Sequence, residues 1–157
     1  MSDEQFMQIA LNDAQEAKKS GNLPSATILV KDDKIIARGV SRVGPDFDPS
    51  AHGDIVCIRT ACKELSVWHL TSCTLYSVIE PCAMCLTCAS WAQLSRVVFG
   101  AYKEDIAENS YLLDGYHAEE FSKKLTALNN SKIEVVGGVL RNACAAIMTG
   151  VNNWSPK

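Results

Sequence analysis

Glu80-Pro81-Cys82-Ala83-Met84-Cys85 is the stretch around which the rest of the chain is organised. Its two cysteines stand directly behind a proline, with two residues between them, so both sulfur atoms can reach one metal ion. A proline here is typical of a strand that stops and a helix that starts, which places the cysteines in the first helical turn. A helix N-terminus favours thiolate over thiol, and the thiolate is the form that binds zinc. The stretch therefore predicts part of a zinc site.

A histidine and an acid, earlier in the chain, supply what two cysteines lack. A catalytic zinc site has three protein ligands and one open position for water. His52 stands at the start of a predicted helix, and Asp54 follows two positions later. A His-x-acid pair followed by Pro-Cys-x-x-Cys is the signature of zinc deaminases, in which the acid is Glu. We therefore predict His52, Cys82 and Cys85 as the zinc ligands, with Asp54 beside them.

Other interpretations of these cysteines account for less of the sequence. A redox dithiol would occupy the same strand-to-helix junction but would leave the His-x-acid pair unexplained. Cys88 extends the run to Cys-x-x-Cys-x-x-Cys, which resembles an iron–sulfur ligand string, yet no fourth cysteine follows three residues later. We expect the cysteines outside the pair to pack in the interior: Cys57, Cys62, Cys73, Cys88 and Cys144.

The other two histidines are not expected to bind the metal. His117-Ala118-Glu119 matches the literal His-x-Glu motif, but no Pro-Cys-x-x-Cys follows it. His69 lies between Trp68 and Leu70 in a connection, which favours a packing or surface position. His52 is therefore the expected nitrogen ligand.

Length and composition limit the class of protein. The chain has 157 residues, of which 47% are hydrophobic, so we expect a single domain over residues 1–157 with a substantial core. No apolar run is long enough to span a bilayer and no signal peptide is visible, so we expect a cytoplasmic protein without a membrane partner. The formal net charge of −3 argues against a polynucleotide partner, because phosphates are neutralised by clustered Lys and Arg.

Hydrophobic periodicity predicts strands that alternate with helices. A capping box at Ser2 and Gln5 begins a helix of about 18 residues. Residues 41–50 are predicted to be a loop, with Gly44-Pro45 as a breaker pair. Later helices are predicted from His52, with an inner face that includes Leu65, from Cys82, over about 118–128 and over about 141–151. Residues 101–115 show little pattern. Strands are predicted at 26–30, 34–40, 74–78, 96–100 and 133–136. This alternation predicts a three-layer α/β sandwich around one central sheet.

At this point the residues resemble a known family, the cytidine deaminase-like zinc deaminases. The stretches that carry the resemblance are Asp48-Pro49-Ser50-Ala51-His52, Glu80-Pro81-Cys82-x-x-Cys85 and Val97-Val98-Phe99-Gly100. Ala61-Cys62-Lys63-Glu64-Leu65 is most similar to bacterial guanine deaminases, and the His-Gly pair is similar to fungal cytosine deaminase. Gly138-Val139-Leu140-Arg141 is similar to tRNA adenosine deaminases.

The resemblance implies a fold, a reaction and an assembly. It implies an α/β/α sandwich with a five-stranded mixed sheet, a homodimer, and a zinc ion on His52, Cys82 and Cys85 with water as the fourth ligand. The implied activity is hydrolytic deamination of a nucleobase or nucleoside, of the guanine or cytosine type, with a tRNA adenosine deaminase as the alternative. Asp54 would move the proton, while Ser41 and the backbone amides of Gly53 and Cys82 would contact the substrate.

Three departures from the family pattern affect these expectations. The family has Glu where this chain has Asp54, usually Asn where it has Ser41, and often Gly where it has Ser25. A catalytically weak, zinc-stabilised binding protein therefore stays open as a second interpretation. Trp68, Tyr76 and Trp91 fit either the implied dimer contact or the core of one chain.

Overall fold

The computed structural model describes residues 1–106, 115–125 and 132–151. Helices and strands alternate through these residues. Their order is α1 Asp3–Lys19, β1 Ala26–Lys31, β2 Lys34–Val40, α2 Val43–Asp46, α3 Gly53–Leu65, β3 Thr74–Ile79, α4 Ala83–Trp91, β4 Arg96–Ala101, a 3-10 turn Lys103–Asp105, α5 Ala118–Lys124, β5 Glu134–Val136 and α6 Arg141–Met148.

The five strands form one mixed sheet in the order β2-β1-β3-β4-β5. Strand β1 is antiparallel to both β2 and β3, whereas β3, β4 and β5 are parallel to one another. Asp32 and Asp33 make the tight β1–β2 turn with φ values of 49° and 58°, as a two-residue hairpin requires. The predicted five-stranded mixed sheet is confirmed.

Helices cover both faces of the sheet, which makes the three layers predicted from the sequence. Helices α1 and α6 pack on one face, where Phe6 lies 5.1 Å from Tyr76 between ring centroids. Helices α3, α4 and α5 pack on the other face, over a core that contains Leu86 and Phe99. The α/β/α sandwich buries an apolar cluster on each side of the sheet.

Several local predictions hold, and others shift by a turn. The Ser2–Gln5 capping box is present in both directions. The inner face of α3 was expected to include Leu65, but that residue is exposed because the buried face runs through Ala61 instead. Helix α6 ends at Met148, before the predicted end at Val151. Around Met148 the Lys18 ammonium donates to the carbonyls of residues 147 and 149.

The part predicted as a continuous loop, residues 41–50, contains the short helix α2. The breaker pair Gly44-Pro45 lies inside its first turn, a position that tolerates proline. Residues 107–114 and 126–131 lie outside the described residues, and with them parts of the unpatterned segment and of the predicted 118–128 helix. No helix of the described residues is long and apolar enough to cross a bilayer.

Candidate metal centre and active site

Two helix N-termini present the predicted ligands. His52 is the N-cap of α3 and Cys82 is the N-cap of α4, with Cys85 in the first turn of α4. The loop that leads to His52 is closed at its base, because the Arg42 amide donates to the Ala51 carbonyl at 2.9 Å. Helices α3 and α4 pack against each other on the same face of the sheet. Two helix starts therefore face one another at this site.

The three predicted ligands lie together. His52 Nδ1 is 3.7 Å from Cys82 Sγ and 3.5 Å from Cys85 Sγ, and the two sulfur atoms are 3.5 Å apart. A tetrahedral zinc with ordinary Zn–S and Zn–N bonds separates two sulfurs by about 3.8 Å, and sulfur from nitrogen by about 3.6 Å. All three distances are within about 0.3 Å of these values. His52, Cys82 and Cys85 thus form a potential zinc site whose donor set and spacing fit the ion.

Asp54 lies at the floor of the same site. It is 6% exposed, and the Thr27 hydroxyl donates to its Oδ1 at 2.6 Å. The Ser77 hydroxyl also donates to this carboxylate, which contacts the Cys85 thiol as well. A buried acid therefore stands beside the ligand group.

Comparison with known proteins identifies this arrangement. The family pattern of the cytidine and deoxycytidylate deaminase zinc-binding region matches residues 1–101, which include all three ligands and Asp54. The chain belongs to this zinc-binding deaminase family. Its metal cofactor is therefore zinc, and the recognition made from the sequence is confirmed.

Relatives within the deaminase family differ in substrate. A tRNA-specific adenosine deaminase of Bacillus subtilis is 32% identical over 147 residues, which cover 94% of this chain and 86% of the relative. A guanine deaminase of the same organism is 38% identical over 112 residues, or 71% of this chain and 72% of the relative.

Solved structures show the same division. A tRNA:A34 deaminase superposes with a TM-score of 0.76 at 29% identity, covering 91% of this chain and 98% of that one. The guanine deaminase of Nitrosomonas europaea superposes with a TM-score of 0.78 at 26% identity, covering 92% of this chain and 81% of that one. The sequence-based expectation that excluded nucleic-acid partners is not supported by these relatives.

The electrostatics of the deaminase site favour cation binding. Hydrogen bonding with Cys85 and with His52, which outweighs the opposite effect of burial, lowers the pKa of Cys82 to about 4. The same contacts and burial raise the pKa of Cys85, so without a cation the pair holds one thiolate, on Cys82. Hydrogen bonding to Cys82 raises the pKa of His52. Burial raises the pKa of Asp54, an effect that its two hydroxyl donors oppose.

The predicted substrate-contact residues lie around the start of α3. The amide of Ser41, which is 5% exposed, donates to the Ser25 carbonyl at 3.0 Å. A Cβ on Gly53 would lie only 2.5 Å from that same carbonyl oxygen. Because glycine has no side chain, the start of α3 can lie against the residue that precedes β1. Ser41, Gly53 and Asp54 are therefore brought to one corner of the site.

Two residues that sequence analysis gave no role support the ligand turn. Glu80 is 1% exposed, and its carboxylate accepts from the amides of Lys103 at 3.0 Å and Ala118 at 2.7 Å. The buried Tyr116 donates its hydroxyl to the Pro81 carbonyl at 2.7 Å. A charged residue that directly follows an apolar strand was the available signal for Glu80. Tyr116 directly follows residues 101–115, which show little pattern, and no motif includes it.

The remaining histidines stay away from the ligand group. His117 caps α5 and is exposed, and the adjacent Glu119 accepts from the Tyr102 hydroxyl and the Gly137 amide, which gives this acid a structural role. His69 is exposed against the edge of Trp68, with 5.4 Å between ring centroids. Cys57, Cys73 and Cys144 are buried as predicted, whereas Cys62 and Cys88 are half-buried.

Proposed function

We propose that this protein is a zinc-dependent hydrolytic deaminase of a nucleobase, with guanine as the first substrate to test. The observation that carries the proposal is the zinc-sized group of His52, Cys82 and Cys85 with the buried carboxylate of Asp54 beside it. A site of this kind serves hydrolysis of an amino group on a base ring. We take residues 1–157 as one such domain, and a cytoplasmic location, where thiols stay reduced, as part of the proposal.

Each residue of the site has a proposed task. His52, Cys82 and Cys85 would hold the zinc ion, which when bound would supply an activated water as the nucleophile. Asp54 takes a proton from the attacking water and passes it to the ring nitrogen and then to the leaving ammonia. The backbone amides of Gly53 and Cys82, at two helix starts, hold the substrate carbonyl.

Ser41 is the proposed side-chain contact to the base. A hydroxyl both donates and accepts but reaches less far than the Asn amide that the family usually has here. Its buried position next to the start of α3 supports this role. A substrate that needs one hydrogen bond at this corner therefore fits better than one that needs the two hydrogen bonds of a side-chain amide.

The charge distribution supports a free base over a polynucleotide. The arginines Arg38, Arg42, Arg96 and Arg141 each pair with a carboxylate of their own chain. A cation that is already paired with a carboxylate gains less binding free energy from a phosphate, and phosphate contacts are the main source of nucleic-acid affinity. The guanine deaminase relative agrees with this first candidate.

Adenosine in tRNA is the second candidate, and a specific observation favours it. The tRNA-specific relatives of Bacillus subtilis and of Buchnera aphidicola each align over 94% of this chain, whereas the guanine deaminase aligns over 71%. The tRNA-specific relatives therefore align with a larger part of this chain than the guanine deaminase does. Binding of tRNA would require cations other than these paired arginines to contact the phosphates.

Ammonia release measured on a panel of substrates tests both candidates. The panel contains guanine, cytosine, adenine, their nucleosides and a tRNA anticodon stem-loop with adenosine at the wobble position. We expect release from guanine, with loss of activity in Cys82→Ser and retention in Cys88→Ser as the matched thiol control. Release from the stem-loop alone would select the second candidate, and no release from any member would contradict the proposal.

We also propose a homodimer formed through the outer face of α4. Trp91 of this face is 63% exposed, Met84 is 39% exposed and Cys88 is half-buried. Trp68, 60% exposed, joins them because the Leu70 amide donates to the Ala92 carbonyl at the end of α4. The alternative that these aromatic residues fill the core of one chain is correct for Tyr76, which is 4% exposed, and wrong for the two tryptophans. An exposed apolar face of this kind is typical of a protein contact.

Light scattering tests the dimer. At micromolar concentration we expect twice the 17.1 kDa chain mass, and Trp91→Glu should give the monomer. Glu64→Lys, an exposed charge change on α3, is the control that should leave the dimer intact. A monomeric wild-type protein would contradict the proposal.

A further inference from the structure

Two buried hydroxyls face Asp54 from the sheet. Thr27 of β1 and Ser77 of β3 are opposite each other in the antiparallel register, and they are 0% and 2% exposed. A hydroxyl buried in a sheet is costly unless it finds a hydrogen-bond partner, so apolar residues are the ordinary choice at such positions. Both hydroxyls here find the same partner, the Asp54 carboxylate.

The start of α3 lies unusually close to this pair. A Cβ on Gly53 would lie 2.5 Å from the Ser25 carbonyl oxygen and 3.4 Å from Thr27 Oγ1. Any side chain at position 53 would therefore push the first helical turn away from β1. The absence of a side chain lets an acid as short as Asp reach the Thr27 hydroxyl at 2.6 Å.

The carboxylate of Asp54 is fixed from two sides. The hydroxyls hold it from the sheet, and the Cys85 thiol contacts it from α4. A Glu at this position would carry its carboxylate about 1.5 Å further along the same direction. It would lose the 2.6 Å geometry to Thr27 or displace the neighbouring ligand turn.

We propose that Thr27 and Ser77 are positioning residues that hold Asp54 at the metal centre, so that Gly53, Asp54 and the two hydroxyls form a site built for a short acid. This inference rests on the proposed function, since positioning matters only if Asp54 moves protons. Under this inference Asp54 is a functional short acid at a position where the family has Glu. The hydroxyls touch the acid and not the substrate, and they act through it.

Kinetics of two variants of Thr27 form the first arm of the test. Thr27→Val keeps the shape and removes the hydroxyl, whereas Thr27→Ser keeps the hydroxyl and removes a methyl group. Because a misplacement of about 1 Å costs about a hundredfold in rate, we expect Thr27→Val to lower kcat about 10- to 100-fold with KM nearly unchanged. Thr27→Ser should keep most of the wild-type kcat. Equal losses in both variants, or none in Thr27→Val, would overturn the inference.

The length of the acid forms the second arm. We expect Asp54→Glu to lower kcat, and Thr27→Val to cost much less in the Asp54→Glu background than in the wild type. Such non-additivity shows that Thr27 acts through the short acid. If Asp54→Glu instead raises kcat, the site is a decayed Glu site and the inference is wrong.

A third arm does not depend on turnover. The visible absorption of the cobalt-loaded protein changes with the groups around the metal and with the residues that orient them. We expect a shifted spectrum in Thr27→Val, an unshifted one in Thr27→Ser, and full metal content in both. If the wild type deaminates nothing in the panel, the proposed function fails while this spectrum still tests the positioning. An unshifted spectrum in Thr27→Val would overturn it.

Discussion

Replacing Glu80 by Gln should destabilise the protein while leaving its shape unchanged. The Glu80 side chain is 1% exposed, and its two oxygens accept separately from the Lys103 and Ala118 amides. Gln keeps one oxygen as an acceptor. Its NH2 group, which is a donor, would face the backbone N–H that the second carboxylate oxygen accepts from in the wild type. The lost charge-assisted hydrogen bond costs about 1.5–3 kcal/mol, and the buried donors left without an acceptor cost about 1–3 kcal/mol more. The expected loss is about 3–5 kcal/mol of unfolding free energy.

Thermal unfolding with a matched control measures this effect. For a chain of this size, about 3 kcal/mol lowers Tm by roughly 6–12 °C. Glu104→Gln is the control, because that residue lies nearby but is half exposed and paired with Arg141 at 3.5 Å, so its loss should stay within about 1 kcal/mol. Since Glu80 adjoins the Pro81-Cys82 turn, we also expect weaker zinc retention in Glu80→Gln alone. Equal Tm values for the two variants would refute this role of Glu80 as acceptor for the two backbone amides.

Two further predictions concern the metal and acid stability. Cys82→Ser and Cys85→Ser should each lose most of the roughly one zinc per chain, as measured by atomic absorption, whereas Cys88→Ser should keep it; full retention in the first two would contradict the ligand assignment. The hydrogen bond from Arg96 lowers the pKa of Asp3, so its contribution to stability is present above the unfolded pKa and is lost as the pH falls through the folded value. Asp3→Asn should therefore lower Tm at pH 7 but not at pH 2, and an equal deficit at both pH values would exclude this linkage.

Local spacing was enough to predict the ligand group. His52 and Cys82 both stand where a helix begins, and the chemistry of a helix start and of thiolate ligands is contained in a few adjacent residues. The alternation of strands and helices likewise predicted the three layers, because hydrophobic periods are local. The mixed sheet was predicted only from the family resemblance. The metal site was therefore accessible before any tertiary contact was known.

The supporting contacts were not accessible, because they join residues far apart in sequence. Thr27 contacts Asp54 only once α3 has packed on β1, and no sequence pattern near Thr27 predicts that contact. Glu80 and Ala118 are 38 positions apart in the chain. The exposure of Trp91 also depends on which side of α4 the sheet covers, and this helix is apolar all round, so periodicity cannot decide its inner face.

The buried acid itself distinguishes an enzyme from a protein that keeps zinc only for structure. A buried carboxylate is costly, and replacing buried polar groups by apolar residues of similar volume is often neutral or stabilising. A structural zinc site has no use for Asp54, Thr27 and Ser77 together. The combined variant Asp54→Leu, Thr27→Val and Ser77→Ala should keep its zinc and be at least as stable as the wild type, yet lose deamination completely. If that variant unfolds or loses its metal, the carboxylate stabilises the fold, and its burial is then no evidence for catalysis.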